Sequence, residues 1–222
     1  MLLLFPFSAT YKVLACLVFK LIPSEITICA FIVCPLTLLT CTSCHDFTDE
    51  PISFYAATKK SNEMMAYSYS HLYNVPCTGL RFFTVYGPWG RPDMSLFGFV
   101  QKIYKDKPIY LFNKGNHYRD FTYIDDVVEI LISLSKIKFK KNYDVLNICS
   151  SRSESLIKFT KLIERYYAKK AIIKNKKRLN LEVLKTHGDN SKILKLINKK
   201  RFIKIEQGLE KTVKWFKSYN KV

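Results

Sequence analysis

From Pro51 onward, short apolar runs of strand length alternate with amphipathic stretches of helix length, and this alternation restricts the fold more than any other feature. Tyr55–Leu72 reads as a helix, with Met64, Met65, Tyr67 and Leu72 supplying an apolar face and Asn74 a stop. Pro76–Val85 reads as one strand closed by the turn Gly87-Pro88. A short helix over Ser95–Lys105, a strand over Pro108–Phe112 and a turn over Asn113–Asn116 follow. Asp125–Lys136 predicts a helix with acidic residues in its first turn and lysine at its end, matching the helix dipole. Tyr143–Ile148 predicts a strand, and Ser153–Tyr167 a helix with Ser153 as its N-cap. Helices over Ser191–Ile197 and Ile205–Tyr219 close the chain. No internal repeat is visible, and the fold class is α/β.

Residues 1–45 differ in character. They are rich in Leu, Ile, Phe, Cys and Thr, and are interrupted by Pro6, Pro23 and Pro35. Ile26–Thr40 carries no charge but is shorter than the ~20 residues needed to span a bilayer, and Pro35 breaks it. Lys12 and Lys20 come late for a signal peptide, and no small-residue cleavage site follows. Out-of-frame or truncated coding sequence accounts for this segment better than a membrane anchor does. Cys41-Thr42-Ser43-Cys44-His45 has the spacing of a c-type haem attachment site, but so short a match without an export signal is read as chance.

The formal charge of +18 invites a polyanion partner. Most of the basic residues fall after Ser135, in runs such as Lys138-Phe139-Lys140-Lys141 and Lys199-Lys200-Arg201. Lysine dominates arginine there and no aromatic-interleaved platform accompanies it, so the expectation is a solvated surface and no nucleic acid. The seven cysteines are odd in number and irregularly spaced, a poor disulfide framework. Cys77 and Cys149 sit in strand-like runs as small hydrophobes, which suits a cytoplasmic protein. His117 and His187 have no neighbouring ligand set, so no metal is expected.

Tyr55-Ala56-Ala57-Thr58-Lys59 puts a phenol and an ammonium one helical turn apart on the same face. A phenol ordinarily ionises near pH ~10 and is a poor base at neutrality. A neighbouring ammonium favours the phenolate and brings it into working range. Alone, the spacing is equally that of a surface tyrosine above a solvated lysine.

Three blocks in order remove that ambiguity. Pro51 through Glu63, Leu80 through Met94 and Tyr118 through Val128 resemble the catalytic helix, substrate loop and third block of extended short-chain dehydrogenases/reductases of the NAD-dependent epimerase/dehydratase family. Thr84, where the wider family usually has Asn, and Trp89-Gly90-Arg91-Pro92-Asp93-Met94 point to its UDP-glucuronate 4-epimerase branch. The resemblance runs from about Asp49 to the end, weakening over the lysine-rich tail.

The resemblance implies the C-terminal part of a Rossmann-like doubly wound parallel sheet plus a small α/β substrate-binding region. It implies NAD as cofactor and a UDP-sugar as substrate, inverted at C4 through a transient 4-keto intermediate. Tyr55 would accept the proton of the 4-hydroxyl, and Lys59 would favour the phenolate and hold the nicotinamide ribose. Thr84 would lie beside the sugar, and Arg91 and Arg119 would contact the uridine diphosphate. On the residues alone, Arg91 is also suited to anchoring its own bend and Arg119-Asp120 to an exposed ion pair. Asp125 and Asp126 are read as first-turn helix residues, not as an acid/base pair. A homodimer through the Tyr55–Leu72 helix is implied as well.

Two family features are absent. No glycine precedes Gly79, so there is no glycine-rich turn upstream of Tyr55 to hold the cofactor pyrophosphate. Where the family has a Ser or Thr for the reacting hydroxyl, this chain reads Phe31-Ile32-Val33. The expectations are an epimerase impaired by loss of its N-terminal half and a sheet with a bare apolar edge. The alternatives are an inactive fragment that binds nucleotide-sugars at most, and a dehydratase or decarboxylase of the same family.

Overall fold

The computed structural model describes residues 17–20, 27–30, 48–51, 53–177, 183–199 and 201–220. The motif Cys41–His45 and most of the N-terminal apolar segment lie outside the described residues. Two short strands within that segment, β1 (Leu17–Lys20) and β2 (Thr27–Ala30), pair antiparallel with Leu17 opposite Ala30.

Helix α1 spans Phe54–Tyr73. Ser53 caps it by accepting a hydrogen bond from the Ala56 amide at 3.1 Å, and Asn74 ends it in the left-handed conformation at φ 50°. Its faces are reversed from the expected order. Ala56, Lys59, Asn62, Glu63, Ala66 and Ser70 are the buried residues, at helical spacing. Met64, Met65, Tyr67 and Leu72 point to solvent. The inward face is polar because the chain beside it offers partners: the Tyr143 hydroxyl donates to the Glu63 carbonyl, and the single Ser70 hydroxyl proton has the carbonyls of Val75 and Asn142 within reach.

The expected single strand over Pro76–Val85 is two. β3 (Cys77–Phe82) pairs parallel with β7 (Tyr143–Ile148), whereas β4 (Thr84–Tyr86) pairs parallel with β6 (Tyr118–Tyr123) in a different ladder. The Phe83 amide still donates to the Ile148 carbonyl, so the chain changes neighbour at Phe83–Thr84. β6 also pairs antiparallel with β8 (Ser153–Ser155), and β5 (Ile109–Phe112) pairs parallel with β9 (Ile173–Lys176). β2 lies near β3, whose own ladder is with β7.

Helix α2 (Ser95–Tyr104) follows β4, and α3 (Ile124–Leu134) follows β6. α3 stops before Lys136, so no base closes its last turn. The segment Ser153–Ser155 belongs to β8, and α4 starts at Leu156 and runs to Tyr167. Its N-cap is Ser155, which accepts from the Lys158 amide, not Ser153. The cause is strand pairing: Ser153 and Ser155 sit opposite Asp120 and Tyr118 of β6. α5 covers only Ser191–Leu194, and α6 spans Ile205–Tyr219.

Two apolar layers hold these elements. One joins α3 to β3 and β7 through Leu80, Ile130, Leu134, Leu146 and Ile148. The other gathers α2, α4 and α6 around Val100, Phe121, Phe159, Ile163, Leu209 and Phe216. In the second, Gly208 lets α6 approach the sheet: a Cβ there would stand 2.1 Å from the Tyr86 hydroxyl and 2.8 Å from the Tyr123 ring. Cys77 and Cys149 are buried free thiols. Burial pushes the Cys149 thiol pKa up.

Asp125 and Asp126 occupy the first turn of α3 as expected. Asp126 does more than favour the dipole, because its carboxylate accepts from the Ile203 amide and pairs with the Lys199 ammonium at 2.8 Å. Lys199 is therefore buried, an exception to the solvated tail the sequence predicts. Among the described residues no helix is long and apolar enough to cross a membrane, and no cluster of three or more His, Cys, Asp or Glu side chains is arranged to hold a metal.

Candidate active site

Tyr55 and Lys59 stand in the first turns of α1, where Ser53 fixes the helix start. Tyr55 is 38% exposed and Lys59 only 5%. The Lys59 ammonium lies 5.3 Å from the centroid of the Tyr55 ring. A buried cation beside a half-open phenol is a place where negative charge on that phenol is favoured. The geometry removes the surface-pair reading of the motif, since the lysine faces inward.

One turn beyond Lys59, on the same side of α1, Glu63 meets Arg81 of β3. The Arg81 Nε and Nη2 donate to the two Glu63 oxygens at 2.7 and 2.9 Å, and both side chains are buried. A bidentate pair of this kind fixes direction as well as distance. It locks the helix bearing Tyr55 to β3. Sequence reasoning assigned neither residue a role. The spacing Lys59–Glu63 was the available signal, because it places a carboxylate on the same helix face as the lysine.

The loop after β4 carries Arg91. Its Nε and Nη2 donate to both Asp93 oxygens, and the bend closes where the Met94 amide donates to the Arg91 carbonyl at 3.1 Å. The hydrogen-bonded Asp93 carboxylate holds the Arg91 pKa above its ordinary value, and the Tyr55 phenol acts in the same direction. The loop thus lies within electrostatic reach of the first turn of α1. Trp89, two residues before Arg91, has φ 59°, a left-handed conformation that costs a non-glycine residue about 1–2 kcal/mol. Its ring meets Trp215 and Tyr219 of α6, each at 5.2 Å between centroids. Aromatic pairs of this kind contribute about 0.5–1.5 kcal/mol each, enough to offset the backbone cost.

Thr84 opens β4, is half-buried, and sits opposite Phe121 of β6. By strand alternation Arg119 lies on the same side of β6 as Phe121. Its Nη1 donates to the carbonyls of Tyr118 and Leu184, at 2.9 and 3.3 Å. Arg119 and Asp120 are not the exposed ion pair that the residues alone allowed. Asp120 is fully buried and accepts from the Ser150 amide and hydroxyl and from the Gly188 amide. Burial raises its pKa and those three donors oppose the rise. Asp120 ties β6 to the turn after β7 and to the 183–190 segment, a role sequence reasoning missed. The structure thus brings Tyr55 and Lys59 together, with the loop of Arg91 close enough for the Tyr55 charge to be felt at its guanidinium. It places Thr84 and Arg119 on the neighbouring β4–β6 ladder.

Residues 41–149 match the NAD dependent epimerase/dehydratase family. Tyr55, Lys59, Thr84, Arg91 and Arg119 all fall inside that span. The UDP-glucuronate 4-epimerase of Thermodesulfobacterium geofontis is 43% identical over 173 residues, which cover 76% of this chain and 52% of that protein. Protein CapI of Staphylococcus aureus is 42% identical over 198 residues, covering 81% and 58% of the two chains. Among solved structures, the UDP-glucuronic acid 4-epimerase of Bacillus cereus, in complex with UDP-glucuronic acid and NAD, superposes with a TM-score of 0.70 at 32% identity. That superposition covers 76% of this chain and 54% of the other. The chain spans about half the length of the curated relatives it matches. Its α/β arrangement, with parallel strands, is that of the C-terminal part of Rossmann-like epimerase structures.

Proposed function

Because residues 41–149 belong to the NAD dependent epimerase/dehydratase family, we propose that this chain acts on UDP-glucuronate as a 4-epimerase, through a transient 4-keto sugar. The observation that carries this reading is the Lys59 ammonium, buried and 5.3 Å from the centroid of the half-open Tyr55 ring.

The described residues fit one end of NAD. Tyr55 and Lys59 offer a phenol and an ammonium to the nicotinamide ribose. The pyrophosphate end calls for a glycine-rich turn at a helix N-terminus, and residues 1–78 contain no glycine. When bound, NAD supplies the reversible two-electron oxidation at the sugar carbon. The chain's own part is proton handling and substrate grip. Tyr55, its negative charge favoured by Lys59, accepts the proton of the sugar 4-hydroxyl and later returns it at the same oxygen. Arg91 and Arg119 hold the diphosphate through planar guanidinium donors, and Thr84 lines the sugar side. Arg91 exchanges part of its pairing with Asp93 for the diphosphate.

The alternative reading is a nucleotide-sugar binding module without turnover. Calorimetric titration with NAD, then with UDP-glucuronate in its presence, separates the two. The epimerase reading expects saturable heat in both steps. Binding of UDP-glucuronate without NAD binding, in folded protein, leaves only the second reading. No UDP-glucuronate binding under either condition removes both.

The same reading includes a homodimer through α1. Phe54, Met64, Met65, Leu72 and Tyr73 form an exposed apolar strip on a helix whose polar side is already satisfied. A strip of this kind suits a self-complementary contact about a two-fold axis. Sedimentation equilibrium is expected to give a dimer that Leu72→Glu converts to monomer. A wild-type monomer at micromolar concentration removes this part of the proposal.

A further inference from the structure

The chain has two tryptophans, and they touch each other. Trp89 belongs to the Arg91 loop and Trp215 to α6, and Tyr219 packs against both, at 5.2 Å from the first ring and 5.4 Å from the second. Trp89 nevertheless remains 74% exposed. A ring left so far in water contributes little through burial, yet its backbone is held in a left-handed conformation that a tryptophan seldom adopts. On the far side of Arg91, Phe97 of α2 also meets Trp215, at 6.2 Å, and Phe216, at 5.8 Å. Between these anchors Gly90 passes close to the Phe97 ring and the Gly87 carbonyl, at distances of 3.3 Å from where its Cβ would stand. The segment carrying Arg91 is thus fastened to α6 before and after the arginine.

We propose that Trp215 and Tyr219 are positioning residues for the UDP-sugar: they hold Trp89, and through it the Arg91 loop, in the conformation that receives the diphosphate. This rests on the assignment of Arg91 to the diphosphate made above. It extends the site to the C-terminal helix, which contributes no group to the chemistry. It also gives the protein an internal reporter, since a diphosphate arriving at Arg91 acts two residues from one member of its tryptophan pair.

The test is UDP-glucuronate affinity of the full chain, by calorimetry, for wild type, Trp215→Ala, Tyr219→Ala and Trp215→Phe. The alanine variants are expected to bind on the order of tenfold more weakly, because a displaced guanidinium loses its aligned hydrogen bonds. Trp215→Phe keeps an aromatic partner and is expected to stay within about threefold of wild type. In an Arg91→Ala background, Trp215→Ala is expected to cost nothing further, a coupling that general loosening of the fold would not produce. In Trp215→Phe the single remaining indole is that of Trp89, and its emission is expected to change on titration with UDP-glucuronate. Tyr219 is exposed, so its variant keeps the inference testable if Trp215→Ala fails to fold. Wild-type affinity in both alanine variants, or an additive loss in the Arg91→Ala background, overturns the positioning role while leaving the proposed function intact. Absence of UDP-glucuronate binding by the wild type overturns the function and the inference together.

Discussion

At saturating NAD, Tyr55→Phe is expected to lower conversion of UDP-glucuronate to its 4-epimer by about 10²–10⁴-fold, the usual range for removing a positioned proton acceptor. Affinity for UDP-glucuronate is expected to change by less than about twofold, because the proposed site assigns the diphosphate to other side chains. The structure makes this substitution clean. Tyr55 is partly exposed, and the aromatic ring that faces the Lys59 ammonium is retained in phenylalanine. Unfolding midpoints are therefore expected to coincide. Chromatographic separation of the two UDP-uronates at several NAD concentrations gives the rates. A variant that turns over within about fivefold of wild type would show that proton transfer is carried by another group.

Arg81→Ala is expected to destabilise the fold by about 3–5 kcal/mol, because it leaves the Glu63 carboxylate buried without its partner. Against a total stability of about 5–15 kcal/mol, that is a large fraction. Glu63→Ala should cost a similar amount by stranding the guanidinium. Replacing both residues by apolar side chains of similar size should recover most of the loss, since the desolvation of two charges is then removed as well. Urea unfolding followed by circular dichroism measures each value. A loss below about 1 kcal/mol in both single variants would mean the pair is hydrated in solution, which the burial of both side chains argues against.

The fold class was legible because strands and helices alternate at the periods that sheet and helix impose. α1, α2, α3 and α6 begin or end within a few residues of where capping and periodicity place them. What was not legible is what depends on distant partners. The break between β3 and β4 has no local mark, because Phe82, Phe83 and Thr84 all favour extended backbone; it exists because β7 and β6 compete for the same chain. Ser153 has the chemistry of an N-cap and is overridden by pairing with β6. β9 arises from a lysine-rich stretch, Ile173–Lys176, that propensity would leave as loop. For the site, Tyr55 and Lys59 were readable from spacing, since one helical turn separates them. The Asp120 hub and the Trp89–Trp215 contact join residues far apart in sequence, and nothing in a single sequence marks such a meeting.

α1 is seated by directional bonds on its inner side and leaves its apolar residues outside. A helix resting on a smooth apolar surface can rotate or slip by a residue among several packings of nearly equal energy. α1 cannot, because turning it by one residue would carry the Glu63 carboxylate away from Arg81 and leave both charges in a dry layer. The wrong registers are thus rejected by electrostatics and not by shape. A tyrosine at the start of such a helix is aimed by an anchor two turns away, and it keeps its aim even where its own ring is partly open to water.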